Sequence, residues 1–519
     1  MGPRSTHQTA VGIDDLAAYI PKLYLPIETL ATQRQLEYIK LNKGLGLSTM
    51  AFPDAHEDVA TMAANAILEL LLRNGIAPQR VGRIYIGTES SLDGAKPMAS
   101  YVIDMLSQYF SEQYGPDCFL NCDVVDMTFA CIGAVDALQN TLDWVRGGEG
   151  RIGIVAGSDI AKYELGSTGE YTQGAGSIAM LIKPQPRLLA IHDTWGVASR
   201  SVHDFYKPLR RVSKTALVEE VLRLAGSDLS AEAILGRLNG ALEAQGVLDS
   251  QEHEITLHRE TPVFDGPYSN LCYQNRIWEA LRHYAAEAGL SDSRTITDDW
   301  HRLVFHLPYA YQARRMFAEI FMIESQRRGD WAELEKELGM ERPQPNAFDS
   351  EKAYGKAYGE YLRAITKTGR YRNFVKEKIE KGERASAVVG NLYTSSILLA
   401  LMSTLEADLE EGKELAGTAF GFFAYGSGSK SKVFTATVQE GWQDIVGRFQ
   451  LMASLAQRQA IDYETYEQLH RGLRPKSVLP PSGEFYLAEV CTERNLREGA
   501  RTYRWREKAA RAVAAPSGR

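Results

Sequence analysis

Strands and helices alternate along the first third of this chain, and that alternation limits the fold more than any other feature. The run VGRIYIGTES (81–90) is apolar, rich in β-branched and aromatic residues, and ends in a polar turn, which predicts a buried strand. DGAKPMASYVIDMLSQYF follows with helical spacing through Met98, Val102, Met105 and Leu106. A strand around CDVVDMTFA and a helix over CIGAVDALQNTLDWVRGG come next, the helix stopped by Gly147 and Gly148. RIGIVAGSDI (151–160) and GAGSIAMLIKP (174–184) read as two more strands. Such alternation predicts an α/β fold, a sheet with helices packed on its faces.

The C-terminal half keeps the rhythm without a direct sequence repeat. RLVFHLPYA (302–310) reads as a strand followed by a helix through Met316, Ile320 and Ile323. SAVVGNLYTSSILLALMSTLEADL (386–409) holds a long buried helix, and GTAFGFFAYGSGSKSKVFTATV (417–438) reads as strand, Gly/Ser turn, strand. The expected divisions are an N-terminal half at 1–210, a polar helical insertion at 211–261, a C-terminal half at 262–493 and a basic tail at 494–519. The tail carries Arg494, Arg497, Arg501, Arg504, Arg506, Lys508, Arg511 and Arg519, and a solvated basic helix is expected there. A second charged segment, 326–385, reads as exposed helices.

Composition narrows the function classes. The formal charge of −8 over 519 residues argues against a general nucleic-acid binder. No window has the roughly 18 apolar residues of a membrane-spanning helix, and acids and prolines interrupt the start where a signal peptide needs an apolar run. Five cysteines, an odd number, do not read as a disulfide framework, so a reduced cytoplasmic protein is expected.

Three residues stand where chemistry is usually placed. Cys131, flanked by small residues in ACIGA, follows a strand and opens a helix. There the free N–H groups and positive dipole end are expected to lower a thiol's pKa and to hold an oxyanion. A small buried hydrophobe is the other reading. Glu89 ends an apolar strand, where ligand crevices open in α/β sheets, or it simply satisfies a helix N-terminus. His306 ends the strand RLVFHLP and is either a core histidine or a polar group aimed into a site. Together the three supply a nucleophile, a proton acceptor and a polariser. No metal site is expected, because His253 with His258, and His301 with His306, lack carboxylate or cysteine partners at ligand spacing. Cys118 and Cys122 read as structural. YGSGS (425–429) is a tight turn able to present N–H groups, but no GKS or GKT follows it and no G-x-G-x-x-G opens a helix.

Several stretches resemble the 3-hydroxy-3-methylglutaryl-CoA synthases of the thiolase superfamily. They are GIDDLAAYIPKLYL (12–25), GTESSLDGAKP (87–97), MTFACIGAVDAL (127–138), SDIAKYELGSTGEYTQGAGSIAM (158–180), HDFYKP (203–208), VFHLPY (304–309), VGNLYTSS (389–396) and AYGSGSKSKVFTATV (424–438), in family order. The resemblance implies a thiolase-like αβαβα layered fold of two interlocked similar halves, and a homodimer. It implies an acyltransferase that condenses acetyl-CoA with acetoacetyl-CoA through an acetyl-Cys intermediate, feeding the mevalonate pathway of isoprenoid biosynthesis, with no cofactor. By motif, Cys131 is similar to the acetyl-accepting nucleophile, Glu89 to the general acid/base and His306 to the residue that positions the acetoacetyl carbonyl. Tyr163, Thr172, Asn391 and Ser427 resemble substrate contacts, and the N–H groups of Cys131 and Ser427 resemble an oxyanion hole.

Two departures bear on the acyl carrier. Many family members have a Lys five residues after the catalytic His, where it helps bind CoA phosphates; here Tyr311 stands there. Arg314 and Arg315 follow, and Arg315 keeps a family cationic position. Tyr171 replaces the usual proline before TQGAG. The alternative reading sets the same chemistry on acyl-carrier-protein-bound substrates, as in polyketide β-branching. A non-catalytic scaffold is the third reading, opposed by the intact Cys131, Glu89 and His306. Generic thiolase or ketoacyl-synthase activity fits the TES and FHLP motifs less well.

Overall fold

A computed structural model describes residues 9–239, 253–258, 260–291, 293–493 and 497–508. Its centre is a nine-stranded sheet. In chain order the strands are β1 Val11–Tyr19, β2 Val81–Gly87, β3 Asp123–Met127, β4 Ile152–Ala161, β5 Gly174–Pro184, β6 Leu189–Ser199, β7 Arg302–Phe305, β8 Ala419–Gly426 and β9 Lys430–Val438. Their spatial order is β7-β8-β9-β6-β1-β5-β4-β2-β3. The expected strands are therefore present, with β1 and β6 beside them.

The sheet divides by pairing into two similar parts. On one side β3, β2 and β4 run parallel and continue into antiparallel β5 and β1. On the other, β7 and β8 are parallel and continue into antiparallel β9 and β6. The seam between them is short, Gly12 opposite Ala190 and Ile13 opposite Leu189. Strand β6 precedes residue 210 in the chain yet pairs with β9 of the second part, so the two parts interlock. One apolar core spans them, bringing Ile13, Val135, Val155, Phe305, Leu399 and Phe423 into the same cluster.

Helices cover both faces, as the continuous apolar strands require. Among them are α1 Val59–Asn74, α2 Met98–Tyr114, α3 Gly133–Arg146, α4 Gly266–Glu287 and α5 Ser396–Glu410. Helix α1 starts with a capping box between Asp58 and Thr61, and Gly75 ends it in the left-handed conformation. The helix expected through Met316, Ile320 and Ile323 is broken at Phe317 into Gln312–Met316 and Ala318–Arg328. Residues 211–261 contain the helices Lys214–Ala225 and Ala231–Asn239 and the strand Glu254–His258, which pairs with Leu209–Ser213. Of that segment, residues 240–252 and 259 lie outside the described residues.

The tail differs from expectation. Arg501–Arg506 is a strand, not a solvated helix, and pairs antiparallel with Glu484–Val490. RTYRWR alternates with period two, so Tyr503 packs on Tyr101 and Trp505 on Tyr109 of α2, while Arg504 and Arg506 point to solvent. Counting only the arginines hides that alternation. Residues 494–496 and 509–519 of the expected tail lie outside the described residues. Among the described residues no helix is long and apolar enough to cross a membrane.

Candidate active site

The start of α3 is pressed against the strand ends by two glycines. A Cβ on Gly87 would sit 2.1 Å from the Ala134 nitrogen, and one on Gly133 would sit 2.6 Å from the Met127 carbonyl oxygen. No larger residue allows that approach. The turn before the helix is tight enough to hold Ala130 at a φ of 41°, a region alanine rarely occupies. Cys131 follows immediately and is 8% exposed.

That turn faces Glu89, two residues beyond the end of β2. The Cys131 thiol donates to the Glu89 carboxylate at 3.0 Å. Asp159 holds the Glu89 loop in place. Its carboxylate accepts from the Glu89 amide at 2.9 Å, the Thr88 and Ser90 hydroxyls at 3.1 and 2.9 Å, and the Thr394 amide at 3.0 Å. Lys207 donates to the Glu89 carbonyl at 2.9 Å and lies 4.9 Å from the Tyr393 ring centre. Removal from water pushes the Glu89 carboxyl up to about 7, with Lys207 opposing and Asp159 adding.

The thiol departs from expectation. Burial, then the charge and hydrogen bond of Glu89, push Cys131 well above the ordinary thiol range rather than below it. Tyr163 and Tyr393, with Phe205 and Phe264, form an apolar cage around it that outweighs the helix terminus. A resting thiol hydrogen-bonded to a carboxylate is the consequence.

His306 comes from the other half of the sheet, one residue beyond β7. Its amide donates to the Phe423 carbonyl at 3.0 Å, and its own carbonyl accepts from the Tyr273 hydroxyl at 2.9 Å. Burial pushes the imidazole down to about 3, so it is neutral near pH 7. Its Nδ1 is buried with no hydrogen-bond partner. The YGSGS turn is held by Asp204, a fully buried residue. Asp204 accepts from the Gly428 amide at 2.7 Å and the Tyr425 hydroxyl at 2.8 Å. A Cβ on Gly426 would lie 2.6 Å from the Phe129 carbonyl, so this strand end abuts the cysteine turn.

A cavity of about 460 Å³ collects these parts. Cys131, Tyr163, Thr172, His306, Arg315, Asn391 and Ser427 all line it, together with Tyr171. Seven of the eight expected side chains thus share one wall system, and Glu89 reaches it through Cys131. Tyr311 is absent from that lining and lies instead in an adjoining basin of about 930 Å³. Of the two arginines, Arg314 is held by Glu383 and Glu380, whereas Arg315 lines both spaces.

Asp159, Asp204, Lys207 and Tyr393 were not singled out by sequence reasoning. The first three lie in SDIAKY and HDFYKP, stretches that carry the family resemblance, and only folding reveals what they touch. Among the described residues, His56, Glu57 and Glu484 bring metal-ligand-type atoms within 4.8 Å of one another. Lys22 donates to both Glu484 oxygens, and Tyr19 donates to Glu57 and Glu484, so the group is an ion-paired clamp on the C-terminal hairpin.

Residues 7–187 match the N-terminal family of hydroxymethylglutaryl-coenzyme A synthase, and residues 253–477 match the C-terminal one. The chain belongs to the hydroxymethylglutaryl-CoA synthase family. Membership makes it a condensing acyltransferase with the thiolase-like fold of that family. The Haloferax volcanii hydroxymethylglutaryl-CoA synthase is 31% identical over 465 residues, 89% of this chain and 91% of that one. The structure of MvaS in complex with 3-hydroxy-3-methylglutaryl coenzyme A is 27% identical, with a TM-score of 0.70 over 96% of this chain and 100% of that one. A curacin-pathway HMG synthase solved with holo donor-ACP is 19% identical, with a TM-score of 0.66 over 96% of this chain and 100% of that one. That last likeness concerns the fold alone.

Proposed function

We propose that this chain joins acetyl-CoA to acetoacetyl-CoA, with Cys131, Glu89 and His306 as its catalytic residues. The observation that carries the reading is the 3.0 Å contact between a buried thiol and a carboxyl of pKa about 7, set beside a neutral histidine in one cavity. Glu89 takes the thiol proton as sulfur attacks the acetyl carbonyl, and passes it to the departing CoA sulfur. It then removes a proton from the methyl of acetyl-Cys131. The N–H groups of Cys131 and Ser427 hold the enolate oxygen, each such donor contributing about 3 kcal/mol. His306 orients the acetoacetyl ketone, which the enolate carbon attacks, and the proton taken from the methyl returns to the alkoxide. Water finally cleaves the thioester to Cys131. Side chains supply every proton transfer, so the reaction needs no cofactor or metal.

Asn391, Tyr163 and Thr172 line the acyl end, and Arg315 stands where the cavity meets the larger basin. Lys43, Arg363, Lys367, Arg372 and Lys376 line that basin with it, a concentration of positive charge in a chain of net charge −8. It suits the phosphates of CoA. The product belongs to the mevalonate route to isoprenoids. All five cysteines are free, which supports a reducing cytoplasmic setting. The outer edge of β3, beside the half-buried Cys122 and the exposed Leu120, supports a homodimer built on that edge.

Steady-state assay with acetyl-CoA and acetoacetyl-CoA, repeated with both acyl groups on carrier protein, tests this. Product from the CoA pair is expected. Product from the carrier-bound pair alone would transfer the enzyme to polyketide β-branching, and no product from either would overturn the reading.

A further inference from the structure

Hydrolysis, the last step, meets a spatial problem. The condensed acyl group is then attached to Cys131 at one end and to CoA at the other, so the pantetheine arm still occupies the cavity through which both substrates arrived. In this step the water oxygen bonds the acyl carbon and the bond to the Cys131 sulfur breaks. One water proton goes to that sulfur, and the new carboxyl ionises to release the other. A water must therefore arrive, and a proton must leave, while the entrance is filled.

A second cavity, of about 640 Å³, lies on the other side of Glu89. Glu89 lines it but does not line the acyl cavity, and Cys131 lines the acyl cavity but not this one. Lys207 lines the second cavity as well, and donates to the Glu89 carbonyl from it. At its rim Lys162 and Glu260 form an ion pair at 2.7 Å. Ser91, Glu260 and Val490 are exposed lining residues, so the space communicates with solvent. One of its walls, Arg501 of the C-terminal hairpin, lies beyond the residues that match the family, 7–187 and 253–477.

We infer that this second cavity is the water and proton port of the catalytic carboxylate, admitting the hydrolytic water and draining the released proton behind Glu89 while the acyl cavity is filled. The inference rests on the proposed reaction. Its consequence is specific to one step, because acetyl transfer to Cys131 consumes no water and releases no net proton.

The test fills the port from two separate lining positions, with Ser91→Trp and, separately, Val490→Trp. Rapid quench with intact-protein mass spectrometry follows Cys131 acetylation from acetyl-CoA, and then the condensed acyl-enzyme after acetoacetyl-CoA is added. Acetylation at the wild-type rate is expected, with hydrolysis slowed about tenfold so that the condensed acyl-enzyme accumulates. Hydrolysis at the wild-type rate in both variants would overturn the port. So would an equal slowing of both steps, since that marks a structural role for these walls. A wild-type enzyme that never acquires acetyl on Cys131 would instead overturn the reaction on which the port rests.

Discussion

Glu89 and Cys131 share one proton across 3.0 Å, and the chemistry at the residue scale turns on which of them keeps it. A base works only when deprotonated, and the Glu89 carboxyl is held at about 7. The rate of condensation is therefore expected to rise with pH through about 7 and level off above it, in a kcat profile measured from pH 5 to 9. His306, pushed down to about 3, adds no second limb in that range. Glu89→Gln keeps the shape and removes the base, and kcat should fall by about 10²- to 10⁴-fold. Lys207→Met removes the cation that draws Glu89 down, so the midpoint of the same profile should move to higher pH. An unchanged midpoint would show that Lys207 does not reach the carboxyl electrostatically.

Elements place these residues, and here the sequence was partly legible. The strand runs, the ACIGA turn and the YGSGS hairpin could all be read from periodicity and small residues, because burial and close approach leave local marks. Longer-range dependences left none. Asp204 belongs to HDFYKP, more than 200 positions before the turn it fastens, and no local pattern announces its bonds to Gly428 and Tyr425. Asp204→Ala orphans the buried Tyr425 hydroxyl, at about 1–3 kcal/mol, and frees the half-buried Gly428 amide, and should lower stability in a denaturant titration together with kcat. The thiol was misjudged for a similar reason: a helix start is visible in sequence, whereas the aromatic cage around Cys131 is assembled from four separate segments. Gly133→Ala forces a methyl to within 2.6 Å of the Met127 carbonyl and should cost more activity than its small size suggests.

The whole molecule depends on interlocking. Strand β6 lies early in the chain but pairs with β9, and a single apolar cluster runs under both parts of the sheet. Far- and near-ultraviolet circular dichroism should therefore report one coincident unfolding transition; two separated transitions would mean that the halves fold independently. This architecture also delivers the site, since Glu89 and Cys131 come from one part of the sheet and His306 and Ser427 from the other. Neither part holds the chemistry alone. The central claim is that an acetyl group on Cys131 is the reacting partner, and a chase tests it most directly. The enzyme is loaded with isotopically labelled acetyl-CoA, freed of excess donor, and mixed with unlabelled acetoacetyl-CoA. The account predicts that label leaves Cys131 and appears in hydroxymethylglutaryl-CoA, with none taken up by Cys131→Ala. Label that stays on the protein, or product that forms without it, would contradict the account.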